Sequence, residues 1–210
     1  LQSVESFTLT PASPSEFLAR VAIADFGLQV STRWTEKDGA GDVYKALKRG
    51  KRSAKTGFVL WEPYVSQARE NGAEVLFDSS QLSGYIVDVL VVQRQYLMDH
   101  PDVVRDVVEA LHRSMYSESN NLVGMVMDDA KRVGDKLSKS QAEQIVAGIR
   151  WRNTLENYAH FGLVPRDRRG GILSLEDSIF NITGVLVRTG AMKADPLDGR
   201  HNELFYSDIL

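Results

Sequence analysis

A short apolar run, Phe58, Val59 and Leu60, ends abruptly in Trp61-Glu62-Pro63 and passes straight into helical spacing that stops at Gly72. A chain that turns from strand to helix within three residues, and does so repeatedly, is restricted to alternating α/β architecture. The alternation recurs upstream. Residues 6–10 (SFTLT) alternate polar and apolar side chains as a strand does, and Ser13-Pro14-Ser15-Glu16 then carries three agreeing helix-start signals. Serine stands at the cap, proline at the first helical position, and glutamate three residues after the cap. Phe17, Val21 and Ala24, with Leu18 and Ala22 beside them, continue this helix to about Phe26, and Gly27 is placed to end it.

The same reading extends along the chain. Residues 30–34 are expected to form a second strand, and residues 41–49 a short helix carrying Val43, Tyr44 and Leu47. After the helix of residues 64–71, strands are expected over 75–77 and again over 85–92, with Ser79, Ser80, Ser83 and Gly84 as the polar connection between them. That connection is the best candidate for a boundary. His100-Pro101-Asp102 starts an amphipathic helix whose face of Val103, Val104, Val107, Val108, Leu111 and Met115 is expected to be core. The last third reads as helical. Ser138 with Gln141 and Ser140 with Glu143 are overlapping capping-box candidates, residues 151–158 continue the helical pattern, and a final helix begins at Leu173 or Ser174. The tail carries Leu204, Phe205, Tyr206, Ile209 and Leu210, too apolar to hang free, and is expected to dock.

Composition excludes several function classes. With 210 residues, 43% of them hydrophobic, there is enough apolar material for one good core or two small lobes. A net charge of −3 from 25 basic and 28 acidic residues gives no field for holding nucleic acid. Basic residues crowd between Lys45 and Lys55, but cations at a helix C-terminus are the ordinary explanation, and no aromatic platform interleaves them. The absence of cysteine rules out disulfides, thiolate metal sites and cysteine nucleophiles. No stretch approaches the roughly 20 apolar residues of a membrane-spanning helix. The four histidines, His100, His112, His160 and His201, have no metal-ligand spacing, and no Gly-rich phosphate loop or Gly-x-Ser-x-Gly elbow occurs. The expectation is a binding protein without metal or cofactor, and not an enzyme.

The words carrying most information are GFVLWEPYVSQA (residues 57–68) and AEVLFDSSQLSGYIVDVLVVQRQYLMDHP (residues 73–101). Together with the Ser13-Pro14-Ser15 helix start they resemble the second half of periplasmic solute-binding proteins of the nitrate, sulfonate and taurine type, which feed ABC importers. The resemblance spans about residues 7–117 closely and the C-terminal helices loosely. It implies a type II periplasmic-binding-protein-like fold, with residues 1–82 as the second α/β lobe. Residues 83–210 would then be the returning, mostly helical part of the first lobe, whose N-terminal part is absent. The chain opens at Leu1 with neither methionine nor a basic-then-apolar leader, so a preceding segment is expected to have been removed.

The implied function is extracytoplasmic or periplasmic capture of a small organic or inorganic anion or zwitterion in an inter-lobe cleft, for presentation to an ABC permease in the membrane. The alternative is a ligand-sensing domain of a larger signalling protein on the same fold. Five residues are candidates for the ligand. Ser13 and Ser15 stand at a helix N-terminus, which offers unpaired donors and partial positive charge, although Glu16 opposes an anion there. Trp61 and Glu62 match the family's tryptophan-acid-proline turn and offer an aromatic face with a carboxylate, suited to an amine or a ring nitrogen. Asp88 interrupts the apolar run of residues 85–92, where a carboxylate needs a partner or an open cleft. Trp151, Arg152 and Asn153 are weaker candidates for an opposite wall. Exposed apolar surface left by a missing half-lobe is expected to drive self-association or repacking of the helices.

Overall fold

In the computed structural model, which describes residues 3–28, 34–50, 55–82 and 84–210, the protein is α/β and mostly helical. Its contacts divide the chain into two compact units. The first comprises Leu1–Ser83 and Asn181–Pro196, the second Gly84–Phe180 and Leu197–Leu210.

The first unit is built on a parallel sheet of three strands, β1 (Ser6–Leu9), β2 (Thr35–Glu36) and β3 (Thr56–Phe58), in the order β2-β1-β3. Thr8 pairs with Thr35 on one side and with Phe58 on the other. The central strand is covered on both faces: Phe7, Thr8 and Leu9 are all buried, so the polar-apolar alternation of residues 6–10 does not mark a solvated face. One face meets α1 (Pro14–Phe26), where Ala19 and Ala22 close on Phe7, Leu9, Val4 and Val59. Small residues there bring the helix close to the sheet. The second helix, α2 (Ala40–Arg49), touches β1 and β3 and buries Ala40, Val43 and Tyr44 outside that cluster. Gly57 pairs with Phe7, and a Cβ at Gly57 would come within 2.6 Å of the Phe7 ring. Glycine at this position is therefore what lets the ring lie across β3.

The start of α1 follows its sequence signals with one change of partner. Ser13 caps the helix, accepting from the Ser15 N–H at 3.2 Å, and Gly27 ends it in the left-handed region with φ 62°. Glu16 turns back not to the Ser13 amide but to Ala12, whose N–H it accepts at 2.8 Å. The third helix, α3 (Tyr64–Glu70), follows Trp61-Glu62-Pro63 as expected, and the Glu62–Pro63 peptide bond is cis. The strand expected over residues 30–34 falls mostly outside the described residues, with Trp34 just before β2.

Two expected strands do not form. Residues 73–78 run without a ladder after α3, with Val75 and Leu76 exposed, and only Phe77 packs back, edge-on to Phe26 at 5.0 Å. Residues 86–92 are also irregular and largely exposed. An apolar β-branched run states what a strand's side chains would prefer; without a neighbouring strand, the ladder that defines the element is missing.

The second unit is helical. α4 (Arg94–Asp99) and α5 (Pro101–Ser117) are followed by α6 (Leu122–Val133) and α7 (Lys139–Gly148), which a short connection makes neighbours. The Ser138–Gln141 capping box is complete. Residues 149–153 break the helical pattern before α8 (Thr154–His160), which has its own capping box from Asn153 and Glu156. The expected core face of α5 is a correction: only Val104 is buried, whereas Val103, Val107 and Leu111 are about half exposed. An apolar stripe buries only where another element covers it. The tail docks in part. His201 is buried edge-on to Phe180 and Phe205 packs edge-on to Phe161, but Leu204 and Tyr206 remain exposed.

The last helix, α9 (Leu175–Arg188), begins in the second unit and ends in the first. Its C-terminal end is fastened to α1. Arg20 donates to the Thr189 carbonyl and hydroxyl, both at 3.2 Å, and Arg188 pairs with Asp25 at 3.2 Å. A guanidinium on the last carbonyls of a helix also meets the negative end of its macrodipole.

Candidate functional site

Because all three strands are parallel, the turns that leave them lie along one edge of the sheet. In an open parallel sheet of order 2-1-3, the crevice at that edge falls between strands 1 and 3, where successive connections depart to opposite sides. The turns flanking it here are residues 10–15 after β1 and residues 59–63 after β3. Four of the five candidate residues, Ser13, Ser15, Trp61 and Glu62, belong to these two turns and to the first helical positions that follow them.

Their environments differ. Ser13 is fully engaged: its hydroxyl donates to the Thr10 carbonyl at 2.6 Å while accepting from Ser15. Ser15 is buried, 4% exposed, and its hydroxyl has no hydrogen-bond partner. The Thr10 hydroxyl, at the end of the same strand, is likewise buried and unpartnered. Two orphaned hydroxyls, one just after β1 and one in the first turn of α1, represent unused hydrogen-bonding capacity, which proteins ordinarily avoid. Thr10 was not singled out by sequence; a polar residue at the carboxyl end of a central parallel strand was the available signal.

Trp61 is 43% exposed, so its indole offers an accessible aromatic surface at this edge. Glu62 is turned toward the helix that follows it, accepting from the Ser66 N–H at 3.1 Å and the Ser66 hydroxyl at 3.0 Å. It therefore caps the first turn of α3, and its carboxylate does not stand free beside the indole.

The opposition of Glu16 to an anion is also corrected. Arg20 bonds it through Nε at 2.8 Å and Nη2 at 2.5 Å, and the Trp34 indole donates to it as well. Burial alone would raise the Glu16 pKa, but the Ala12 amide and the Arg20 guanidinium together hold it below the ordinary carboxylate value. The pair is nearly neutral at a distance. Arg20 also stacks over Trp34 at 5.5 Å, so the cluster is structural.

Asp88 is not in an apolar strand. It lies exposed in the irregular segment of the second unit, where solvation removes the need for a partner that a buried carboxylate would have. Arg152 and Asn153 are occupied with Glu156, and Trp151 is exposed. The second unit has an open depression of about 850 Å³ between α6 and α7, lined by Met127, Asp128, Lys131 and Lys136 among others. Charges of both signs line it, and none of the five candidates does. Among the described residues no group of three His, Cys, Asp or Glu side chains is placed to hold a metal.

The sheet edge of the first unit thus combines an exposed indole with two unpaired buried hydroxyls. Its accessible group is the indole, which is suited to stacking on a small molecule. Comparison with protein-family models, with curated proteins and with solved structures finds no match.

Proposed function

We propose that this chain belongs to the extracytoplasmic solute-binding component of an ABC import system. In this reading the first unit has the type II binding-protein topology and supplies one wall of the solute site, at the crevice between β1 and β3. Trp61, on the turn after β3, stacks on the solute. The bound form is presented to a membrane permease. The observation that carries the reading is an exposed aromatic on the turn after β3 and two orphaned hydroxyls on the turn and helix start after β1, the two connections that flank the topological switch point of a parallel sheet. The likeness of residues 7–117 to nitrate, sulfonate and taurine binders supports it from the sequence.

Since Ser13 accepts from the Ser15 and Phe17 N–H groups and Pro14 has none to offer, the solute is not held as a bare anion on a helix end. A zwitterion or an organic anion with an apolar body suits the indole better. The test is a thermal-shift and calorimetric panel of nitrate, alkyl sulfonates, taurine and pyrimidines. A solute at 100 times its Kd stabilises by about 2.7 kcal/mol. Trp61→Ala is expected to keep the melting temperature of the free protein, because the indole is exposed, and to weaken solute binding at least tenfold. No response from any member of the panel, or unchanged affinity in Trp61→Ala, overturns the proposal.

A further inference from the structure

The one Asn-Gly pair of the chain, Asn71-Gly72, closes α3. Asparagine before glycine is open to attack on its side-chain amide by the following backbone nitrogen, because glycine has no Cβ to obstruct the approach. Both residues are exposed, so water reaches them. Here each reacting group is held. The Asn71 Nδ2 donates to the Tyr44 hydroxyl at 2.9 Å and to the Gln67 carbonyl at 2.7 Å. The Gly72 N–H donates to the Arg69 carbonyl at 2.9 Å and the Ala73 N–H to the Ala68 carbonyl at 2.9 Å, a helix ending in which Gly72 is left-handed with φ 78°. Asn71 itself stands at ψ 15°, whereas ring closure needs ψ to rotate until the Gly72 nitrogen lies over Cβ. The reaction therefore requires the last turn of α3 to open. That turn is lightly held, because α3 has seven residues, Glu70, Asn71 and Gly72 are exposed, and residues 73–78 beyond them form no ladder. Tyr44, on α2, is buried, so its hydroxyl ties the turn to a fixed element.

We propose that Asn71 is a site of spontaneous deamidation and that the Tyr44 hydroxyl is its lock. In the opened turn the Gly72 nitrogen gives up its proton to hydroxide and attacks the Asn71 Cγ. The new N–Cγ bond closes a five-membered succinimide, the Cγ–Nδ2 bond breaks, and the side-chain nitrogen takes a proton from water and leaves as ammonia. Water then opens the ring at either carbonyl, giving aspartate or isoaspartate at position 71. With the ammonia lost to solvent, the change runs one way. Its product does not rebuild the lock. A carboxylate has no proton to give the Gln67 carbonyl, it stands at the negative end of the α3 macrodipole, and in isoaspartate the backbone is longer by one carbon. The end of α3 and its tie to α2 therefore loosen as the chain ages.

Peptide mapping by mass spectrometry of the 210-residue chain, aged in mildly alkaline buffer with and without urea, tests this. Conversion at Asn71 is expected in both samples, slower in the folded protein and ahead of every other asparagine. Tyr44→Phe keeps the ring against Tyr64 and Lys48 and removes the hydroxyl alone. It is expected to speed conversion in the folded protein about fivefold, the effect of one lost hydrogen bond on an opening equilibrium, while leaving the other asparagines and the rate in urea unchanged. Asn71→Asp is expected to lower the melting temperature and to raise hydrogen exchange at Gly72 and Ala73. A folded chain that keeps Asn71 intact after the urea sample has converted overturns the proposal. So does a folded Tyr44→Phe variant that converts no faster than wild type. Neither result bears on solute binding at Trp61.

Discussion

Removing Arg20 should cost the first unit more than removing any surface charge. The side chain makes four hydrogen bonds: two to Glu16, and two to the carbonyl and hydroxyl of Thr189. Only 11% of it and 18% of the Glu16 side chain remain exposed, so water does little to replace these bonds. Breaking one partner out of a buried ion pair typically costs about 3–5 kcal/mol. Glu16 in Arg20→Ala retains the Ala12 N–H and the Trp34 indole, which lowers the expected loss to about 2–4 kcal/mol. Arg20→Lys keeps the charge but not the fork that serves Glu16 and Thr189 together, and should fall between the two.

The pH dependence carries the diagnostic sign. The folded-state pKa of Glu16 is depressed, so its contribution to stability is complete above the ordinary carboxylate range and disappears as the pH falls through the folded value. The gap between wild type and Arg20→Ala should therefore be widest at neutral pH and narrow below about pH 4. Urea unfolding followed by tryptophan fluorescence measures it, since Trp34 lies under Arg20. A loss below about 0.5 kcal/mol, within the range of an ordinary surface substitution, or a gap that stays constant into acid, refutes the reasoning.

Two further outcomes follow from local geometry. Gly57→Ala places a Cβ against the Phe7 ring and should destabilise the first unit by about 1–3 kcal/mol; a neutral result in urea would mean that the ring moves freely. His160 has its pKa lowered, chiefly by burial, while its Nδ1 bonds the Leu173 carbonyl at 2.7 Å as the neutral tautomer. The stability it provides is present above about pH 6.5 and declines as the pH falls toward the folded value. His160→Gln should flatten that part of the pH–stability curve, and a slope left unchanged would show that other groups produce it.

What the sequence disclosed was whatever short-range chemistry decides. The α1 start, its Gly27 stop and the Ser138–Gln141 box are each completed within a few residues, so neighbouring letters suffice to read them. The strand–helix alternation that makes the chain α/β is of the same kind. Residues 75–77 and 85–92 read as strands on equally good composition, but a strand is completed by a partner that composition does not name. The face of α5 failed for the same reason: its spacing describes what the helix would bury, while exposure at Val103 and Val107 depends on what else is nearby. At the candidate site, Glu62 turned to Ser66, four residues on, a local contact that the pattern already contained. The orphaned hydroxyls of Thr10 and Ser15 were beyond reach, because a missing partner is a property of three-dimensional packing.

The clasp between Arg20 and Thr189 joins positions 169 apart in the chain. A ribosome adding about 5–20 residues per second needs on the order of ten to thirty seconds to travel from one to the other. Throughout that interval the nascent sheet carries a guanidinium whose second acceptor has not yet been made, and everything from Gly84 to Phe180 must emerge first. Maturation of the sheet that carries Arg20 is thus timed by a helix end made 169 residues later.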